Sequence, residues 1–402
     1  MSTQNLSFLR RPIVVMVCGA LILTLSMGVR HTGGLFLQPM TLDQGWSREL
    51  FSFSIALQNL LWGLFQPFAG AFADRHGAGR TLVGGALLYI LGLVIMAHAD
   101  SALGLNVGAG LFIGMGLAGT TFSVVLGVIG RMAAPEKRSM ALGLASAGGS
   151  FGQFAVLPVG QGLIAMVGWQ DALLWLAFGI ALIVPLAAAV TGTSDRGTGV
   201  QQSLRQALNE AMRTPSFHYL FWSFFVCGFQ TAFIMLHLPA FVVDSGMSAN
   251  IGMTAVALIG LFNIFGSFLS GWLGGCYSKK GLLAGIYALR IVAILALLLF
   301  PLSQLTLYLF AAVMGLLWLG TVPLTSGLVG HIFGLRYMGM LYGIVFLGHQ
   351  IGGFLGAWLG GRIFDLSGSY LMAWWLSIAL SVMAAALSLP VREAPLLRTE
   401  AR

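Results

Sequence analysis

Two arginines and two histidines lie deep in apolar sequence, and their side chains define the chemistry open to this chain. Arg290 stands in the middle of GLLAGIYALRIVAILALLLF, 281–300. Read as a membrane-crossing helix, that stretch puts Arg290 roughly 15 Å from its start, near the bilayer midplane. A cation there costs at least about 2.5 to 3.5 kcal/mol, so it must face protein or water and have a partner. None of the twelve Asp and Glu residues falls in the body of an apolar run. The expectation is therefore that the missing anion is, in part, a substrate. Arg30, beside His31, lies in the first apolar run, and its planar fork matches a carboxylate. For each arginine the structural alternative is a side chain held by backbone carbonyls and hydroxyls.

His349, followed by Gln350, sits roughly 16 Å into a later run. An imidazole titrates near pH 6.5, which suits proton coupling where no membrane carboxylate competes for that role. His237, just before Pro239, is the second proton candidate, and the proline is expected to break the helix and free a carbonyl. Against both stands a neutral histidine hydrogen-bonded between helices. Uncharged polar groups extend the set: Gln58, Asn59, Gln153, Gln230, Asn263, Thr321, Thr325 and Ser326. In lipid, most such groups join helices to one another. Trp318 and Tyr287 are expected to wall a pocket or to pack.

Composition says what must position these groups. The 402 residues are 58% hydrophobic and 8% charged, with 55 glycines and 28 phenylalanines. That is the usage of a polytopic helical membrane protein, in which small residues mediate close helix contacts. The net charge of +8 is scattered as ones and twos between apolar runs, which reads as topology signalling and not as nucleic-acid binding. Cys18, Cys227 and Cys276 have no paired spacing, so neither a disulfide nor a metal site is expected. The basic and apolar start resembles a signal peptide, but the run continues to about Gln38 without a small-residue cleavage site and reads as an uncleaved first span.

Apolar runs give twelve expected spans, at 13–38, 50–72, 81–98, 103–130, 139–164, 170–192, 216–243, 250–275, 281–300, 303–329, 338–362 and 370–391. The fold class is thus an all-α membrane protein with twelve transmembrane helices in two six-helix bundles, 1–192 and 216–402, joined by a polar linker, 193–215. Within that connection 203–212 is expected to form an amphipathic surface helix. With both termini inside, sixteen of the twenty Lys and Arg fall on the inner side, among them Arg10, Arg11, Arg196, Arg398 and Arg402; this bias orients the chain in a cytoplasmic membrane. Gly348, Gly352, Gly356 and Gly360 make one smooth face on span eleven, as do Gly110 and Gly114 on span four and Gly148 and Gly152 on span five. Packing is the expectation for all three faces.

The end of span two reads GAFADRHGAGR, with Asp74, Arg75 and Arg80. It resembles the loop 2–3 signature of the major facilitator superfamily, in which a carboxylate and basic residues gate the inner side; an Asp near a helix terminus can bridge to Arg and to backbone dipoles. The second-half counterpart, GWLGGCYSKK, has Gly275 where the acid would stand. GLFLQPM with GWSRE, KRSMALGLASAGGSFGQ, HLPAFVVDSGMS and GHQIGGFLGAWLGGRIFDLSGSY look like the bacterial monocarboxylate and oxalate/formate branch. That branch differs in having a span-eight arginine in several members where Ser267 stands here, and a lysine near His349 in its oxalate carriers. The acidic, tryptophan-rich first-helix motif of animal monocarboxylate carriers is absent, and Pro158 is not preceded by glycine as in drug antiporters.

The resemblance implies that spans 1, 4, 7 and 10 line a central cavity. It also implies a secondary transporter of a small organic anion working by alternating access, with protons or a counter-anion, as a monomer in membrane lipid. The expected substrate-binding set is Arg30, Arg290, His349, Gln350, His237, Gln230, Asn59, Trp318 and Thr321, with His349 and His237 for proton coupling and Asp74, Arg75 and Arg80 for gating. No nucleophile-base constellation or ATP-binding loop appears, so neither an enzyme nor a cofactor is expected. Efflux of apolar drugs or siderophore-like compounds is the alternative cargo, and a non-transporting membrane sensor the alternative class.

Overall fold

The structure, a computed structural model, describes residues 12–46, 48–190 and 202–396. The topology cations Arg10, Arg11, Arg196, Arg398 and Arg402, and 193–201 of the expected linker, lie outside the described residues. Among the described residues there is no strand. Ten helical segments are long and apolar enough to cross a membrane. One of them, Pro135–Ala187, holds spans five and six: its helix Arg138–Ala181 turns at Gly168, whose φ of 81° favours glycine. The helix Arg48–His76, 29 residues long, supplies span two and completes the twelve.

Two compact units divide the chain: Met1–Pro135 with Gly148–Gln201 and Leu335–Gly343, and Glu136–Ala147 with Gln202–Gly334 and Ile344–Arg402. In the first unit, span one (Pro12–Thr32) approaches span five so closely that a Cβ at Gly148 or Gly152 would meet the backbone of Ala20 or Thr24. Gly110 and Gly114 likewise receive Leu57 and the Gln58 carbonyl of span two. In the second unit, Gly348, Gly352 and Gly356 receive the backbone of Phe221, Phe225 and Phe229 of span seven, and Gly360 receives the His237 ring. All three glycine faces are thus helix contacts, as small residues allow in lipid.

Spans four and ten are interrupted in mid-course where the sequence reads as continuous. Span four divides at Thr121, between the helices Ile113–Thr120 and Phe122–Met132. Span ten divides between Gln304–Leu317 and Thr321–Phe333. The expected break at Pro239 does not occur: Pro215–Asp244 runs through it, the proline lying only five residues from the helix end. The surface helix expected in the connection is Leu204–Arg213, started by a capping box between Ser203 and Gln206.

Candidate functional site: two arginine centres

A helix break in an apolar interior leaves backbone groups without partners, and those groups must be satisfied by side chains. In the second unit this task falls to span nine (Lys279–Leu299) and span eight (Ala249–Cys276). Arg290, fully buried, donates through Nη2 to the carbonyls of Leu317 at 2.7 Å and Trp318 at 2.5 Å. Asn263 Oδ1 accepts the Leu319 N–H at 3.1 Å. Arg290 Nη1 donates to Gln230 Oε1 at 3.0 Å, and Gln230 Nε2 in turn donates to the Ser377 carbonyl and Ser381 Oγ of span twelve (Leu371–Ser388). The Cys227 sulfur lies 3.6 Å from Arg290 Nη2 and 3.2 Å from Thr321 Oγ1. Only Nε of the guanidinium lacks a partner.

The structure therefore brings Arg290, Gln230, Thr321 and the Trp318 backbone into one centre. The Trp318 ring itself packs in the apolar core, and Tyr287 stands 5.3 Å beneath the Arg290 guanidinium while its hydroxyl donates to the Ser223 carbonyl. Cys227 belongs to the centre although its sequence setting reads as packing; its spacing of three from Gln230 on one helix was the available signal. His349 stacks on Phe346 at 5.3 Å between centroids, tilts against Phe224 and faces the Cys227 thiol. Gln350 is buried with its Nε2 unpartnered, and so is the Thr325 hydroxyl. His237 is apart from this group. Its Nε2 lies 2.8 Å from the Ala357 carbonyl, which can only accept, so that nitrogen carries the proton.

In the first unit Arg30 is half-buried and less fully engaged. Nη2 donates to Asn59 Oδ1 at 2.5 Å, and the guanidinium lies 4.9 Å above the Trp62 ring. Asn59 and Trp62 are three apart on span two and so share a face. Trp62 donates to Thr121 Oγ1, the hydroxyl at the break in span four. Arg30 Nε is without a partner. Beside it opens a cavity whose polar lining includes Arg30, Thr32, Gln58 and Tyr89 and whose remaining wall is apolar, from residues such as Val29, Ile55, Leu93 and Ile113. Gln58 Nε2 is tied to the Ala109 carbonyl and Tyr89 to the Ser26 carbonyl, so both groups are fixed in place.

A third polar centre lies past the apolar run of span two. Asp74 is buried and accepts from Arg131 Nη1 at 2.7 Å and from the Met340 N–H at 2.8 Å. Burial pushes its carboxyl up to about 6, against the pull of Arg131 and the backbone N–H groups of Met340 and Gly339. Arg131, not one of the expected gating residues, is the partner of Asp74, whereas Arg75 and Arg80, both expected to gate, are exposed. No group of three or more metal-ligating side chains occurs among the described residues.

This helical architecture, with spans four and ten interrupted and with arginines set in apolar spans, is that of a membrane carrier. The chain belongs to the Major Facilitator Superfamily, whose family profile matches residues 16–357. It is 24% identical over 383 residues to the uncharacterized MFS-type transporter YcxA of Bacillus subtilis, covering 92% of this chain and 91% of that one. It is 24% identical over 367 residues to the oxalate:formate antiporter of Oxalobacter formigenes, covering 87% and 84%. It is 26% identical over 309 residues to monocarboxylate transporter 13 of the rat, covering 76% and 71%. Among solved structures, the fucose:proton symporter FucP of E. coli is similar in fold, with a TM-score of 0.73 at 17% identity over 94% of this chain and 98% of that chain. The protein is thus a multi-pass membrane transporter of this superfamily.

Proposed function

We propose that the protein carries a small organic anion across a bacterial cytoplasmic membrane by alternating access, coupled to protons, with both termini on the inner side. The observation that carries this reading is Arg30. It is a membrane arginine with, among the described residues, one side-chain acceptor, an unpartnered Nε and no carboxylate partner, beside a cavity with apolar walls. A carboxylate entering there would supply the counter-charge that the fold omits and would be met by a planar fork. One cation with apolar walls matches the chemistry of a monocarboxylate with a short hydrocarbon tail, although the cavity, about 20 Å³, has room for little more than a water and must widen to admit one. The names of two relatives, an oxalate:formate antiporter and a monocarboxylate transporter, support the same substrate class.

Arg290 takes a different part in this reading. Its Nη2 is spent on the break in span ten and its Nη1 bonds Gln230, so it holds that break in one geometry, and an anion would take its Nη2 only by displacing backbone carbonyls. His349, between aromatic faces and against the Cys227 thiol with, among the described residues, no carbonyl holding it, is the proton carrier; His237, occupied by a carbonyl, is a helix-to-helix tie. Asp74 and Arg131 form the gate.

The test is uptake of a panel of radiolabelled short organic acids into proteoliposomes, with and without an inward proton gradient. Gradient-driven accumulation of a monocarboxylate is the expected result. Failure to move any acid under either condition, together with export of apolar compounds, would replace this reading with efflux.

A further inference from the structure

Past span twelve the chain lies across one end of the second unit. Val391 is completely buried. The Arg392 N–H donates to Ser216 Oγ at 3.0 Å, and the Leu396 N–H donates to the Ile332 carbonyl at 3.0 Å. Glu393 Oε1 accepts from the Lys280 N–H at 2.6 Å and from Ser278 Oγ at 3.1 Å. Lys280 Nζ returns a bond to the Leu389 carbonyl at 3.1 Å. The segment 389–396 therefore touches the start of span seven, the start of span nine and the end of span ten.

Those three spans are the ones that meet at Arg290. Span seven contributes Cys227 and Gln230, span nine contributes Arg290, and span ten contributes the broken backbone and Thr321. The spacing is nearly equal on each. Ser216 precedes Cys227, Lys280 precedes Arg290 and Ile332 follows Thr321 by ten or eleven residues, about 16 Å along a helix. Three rigid rods joined at one end by a strap and at the other by a guanidinium form a closed frame. Glu393 is its charged corner: a carboxylate at the N-terminus of span nine satisfies an orphan N–H and complements the helix dipole.

We propose that 389–396 is a strap, anchored by Glu393, that fixes the mutual register of spans seven, nine and ten and thereby holds the Arg290 bridge across the break in span ten. Glu393 is a positioning residue, acting through span nine. The proposal does not depend on what the protein carries.

Hydrogen exchange of the full chain in lipid nanodiscs, read by mass spectrometry, tests it without any substrate. Glu393→Ala should speed exchange about ten-fold or more at 279–283 and also at 317–321, the remote break. Glu393→Asp, which keeps the charge, should restore at least part of the protection at both places. Faster exchange at 279–283 with 317–321 unchanged would overturn the frame, since the strap would then cap one helix and do nothing further. No change at either place would overturn the strap itself. Should Glu393→Ala lose protection throughout the chain, Ser216→Ala removes one anchor only. Faster exchange at 317–321 in that variant supports the frame, and unchanged exchange there overturns it. Where a transported acid is in hand, Glu393→Ala should lower turnover several-fold with KM unchanged. A change in KM alone would assign Glu393 to the binding of that acid and contradict the proposal, and the absence of any transported acid would count against the function reading only.

Discussion

Arg30 and Arg290 begin alike, as lone cations in apolar helices without a carboxylate in reach among the described residues, and the fold treats them differently. Arg290 is fully buried and its amino groups are spent on Gln230, the Cys227 sulfur and two carbonyls. Arg30 is half-buried, has one side-chain acceptor and an aromatic face, and borders a cavity. Both are connected to a break in a long span, Arg290 directly and Arg30 through Trp62 and Thr121. Depth in the membrane is therefore a poor measure of availability. What separates the two is how many donors the protein itself consumes.

Substitution should separate them further. Arg30→Gln is expected to lower anion uptake about a hundred-fold, the loss of a charge-assisted bidentate contact, while the melting temperature stays near that of the wild type. Arg30→Lys should recover only part of the rate, because an ammonium does not reproduce the fork. Equal uptake by Arg30→Gln and wild type would erase the distinction.

Arg290→Gln should do the reverse. It leaves the carbonyls of Leu317 and Trp318 without their donor, each at about 1 to 3 kcal/mol when buried, partly offset by removing a desolvated charge. A net stability loss of about 2 to 3 kcal/mol is expected, measured as a lower midpoint in thermal unfolding of the detergent-solubilised protein. An unchanged midpoint would show that the bridge contributes little.

Asp74 offers a third kind of centre, a charge paired outside the apolar run. Its folded value, about 6, lies above the ordinary carboxyl value, so the folded protein holds the proton more tightly than the unfolded chain. The stabilisation from that proton is present below about pH 4 and is lost as pH rises through about 6. Wild-type stability should thus fall by about 1 to 2 kcal/mol between pH 5 and 7 relative to Asp74→Asn, whose amide does not titrate. Parallel pH profiles for the two proteins would contradict the assignment.

The smallest effect concerns the two histidines. His349→Gln should flatten the pH dependence of uptake severalfold, and His237→Gln should leave it in place, since a ring held by the Ala357 carbonyl is already committed. Matching pH profiles for the two variants would remove the distinction drawn between them.

Much of this architecture was legible from the chain. Apolar runs of membrane length gave the spans, and glycines at intervals of four gave smooth faces on spans four, five and eleven; which spans those faces meet, two, one and seven, is seen only in the fold. The interruptions were legible only in part. Span four breaks at a threonine with no proline beside it, whereas span ten breaks over Trp318–Gly320, just ahead of Pro323, which has no N–H to give the Leu319 carbonyl; Pro239, by contrast, sits in an unbroken helix. A proline alone therefore does not mark a break, and distant side chains such as Asn263 and Arg290 satisfy the freed backbone. Arg290 was found from its charge, but its acceptors are carbonyls, which every residue possesses and no sequence pattern marks. Cys227, Arg131 and Glu393 were missed for a related reason: each gains its role from a partner more than fifty residues away.

The most direct test of the account is equilibrium binding of a radiolabelled short monocarboxylate to purified wild type, Arg30→Gln and Arg290→Gln, at a temperature where all three are folded. The account predicts that Arg30→Gln raises Kd about a hundred-fold and that Arg290→Gln raises it less than ten-fold, on the scale where each factor of ten is about 1.4 kcal/mol. Wild-type affinity in Arg30→Gln, with binding abolished in Arg290→Gln, would place the anion at Arg290 and contradict it.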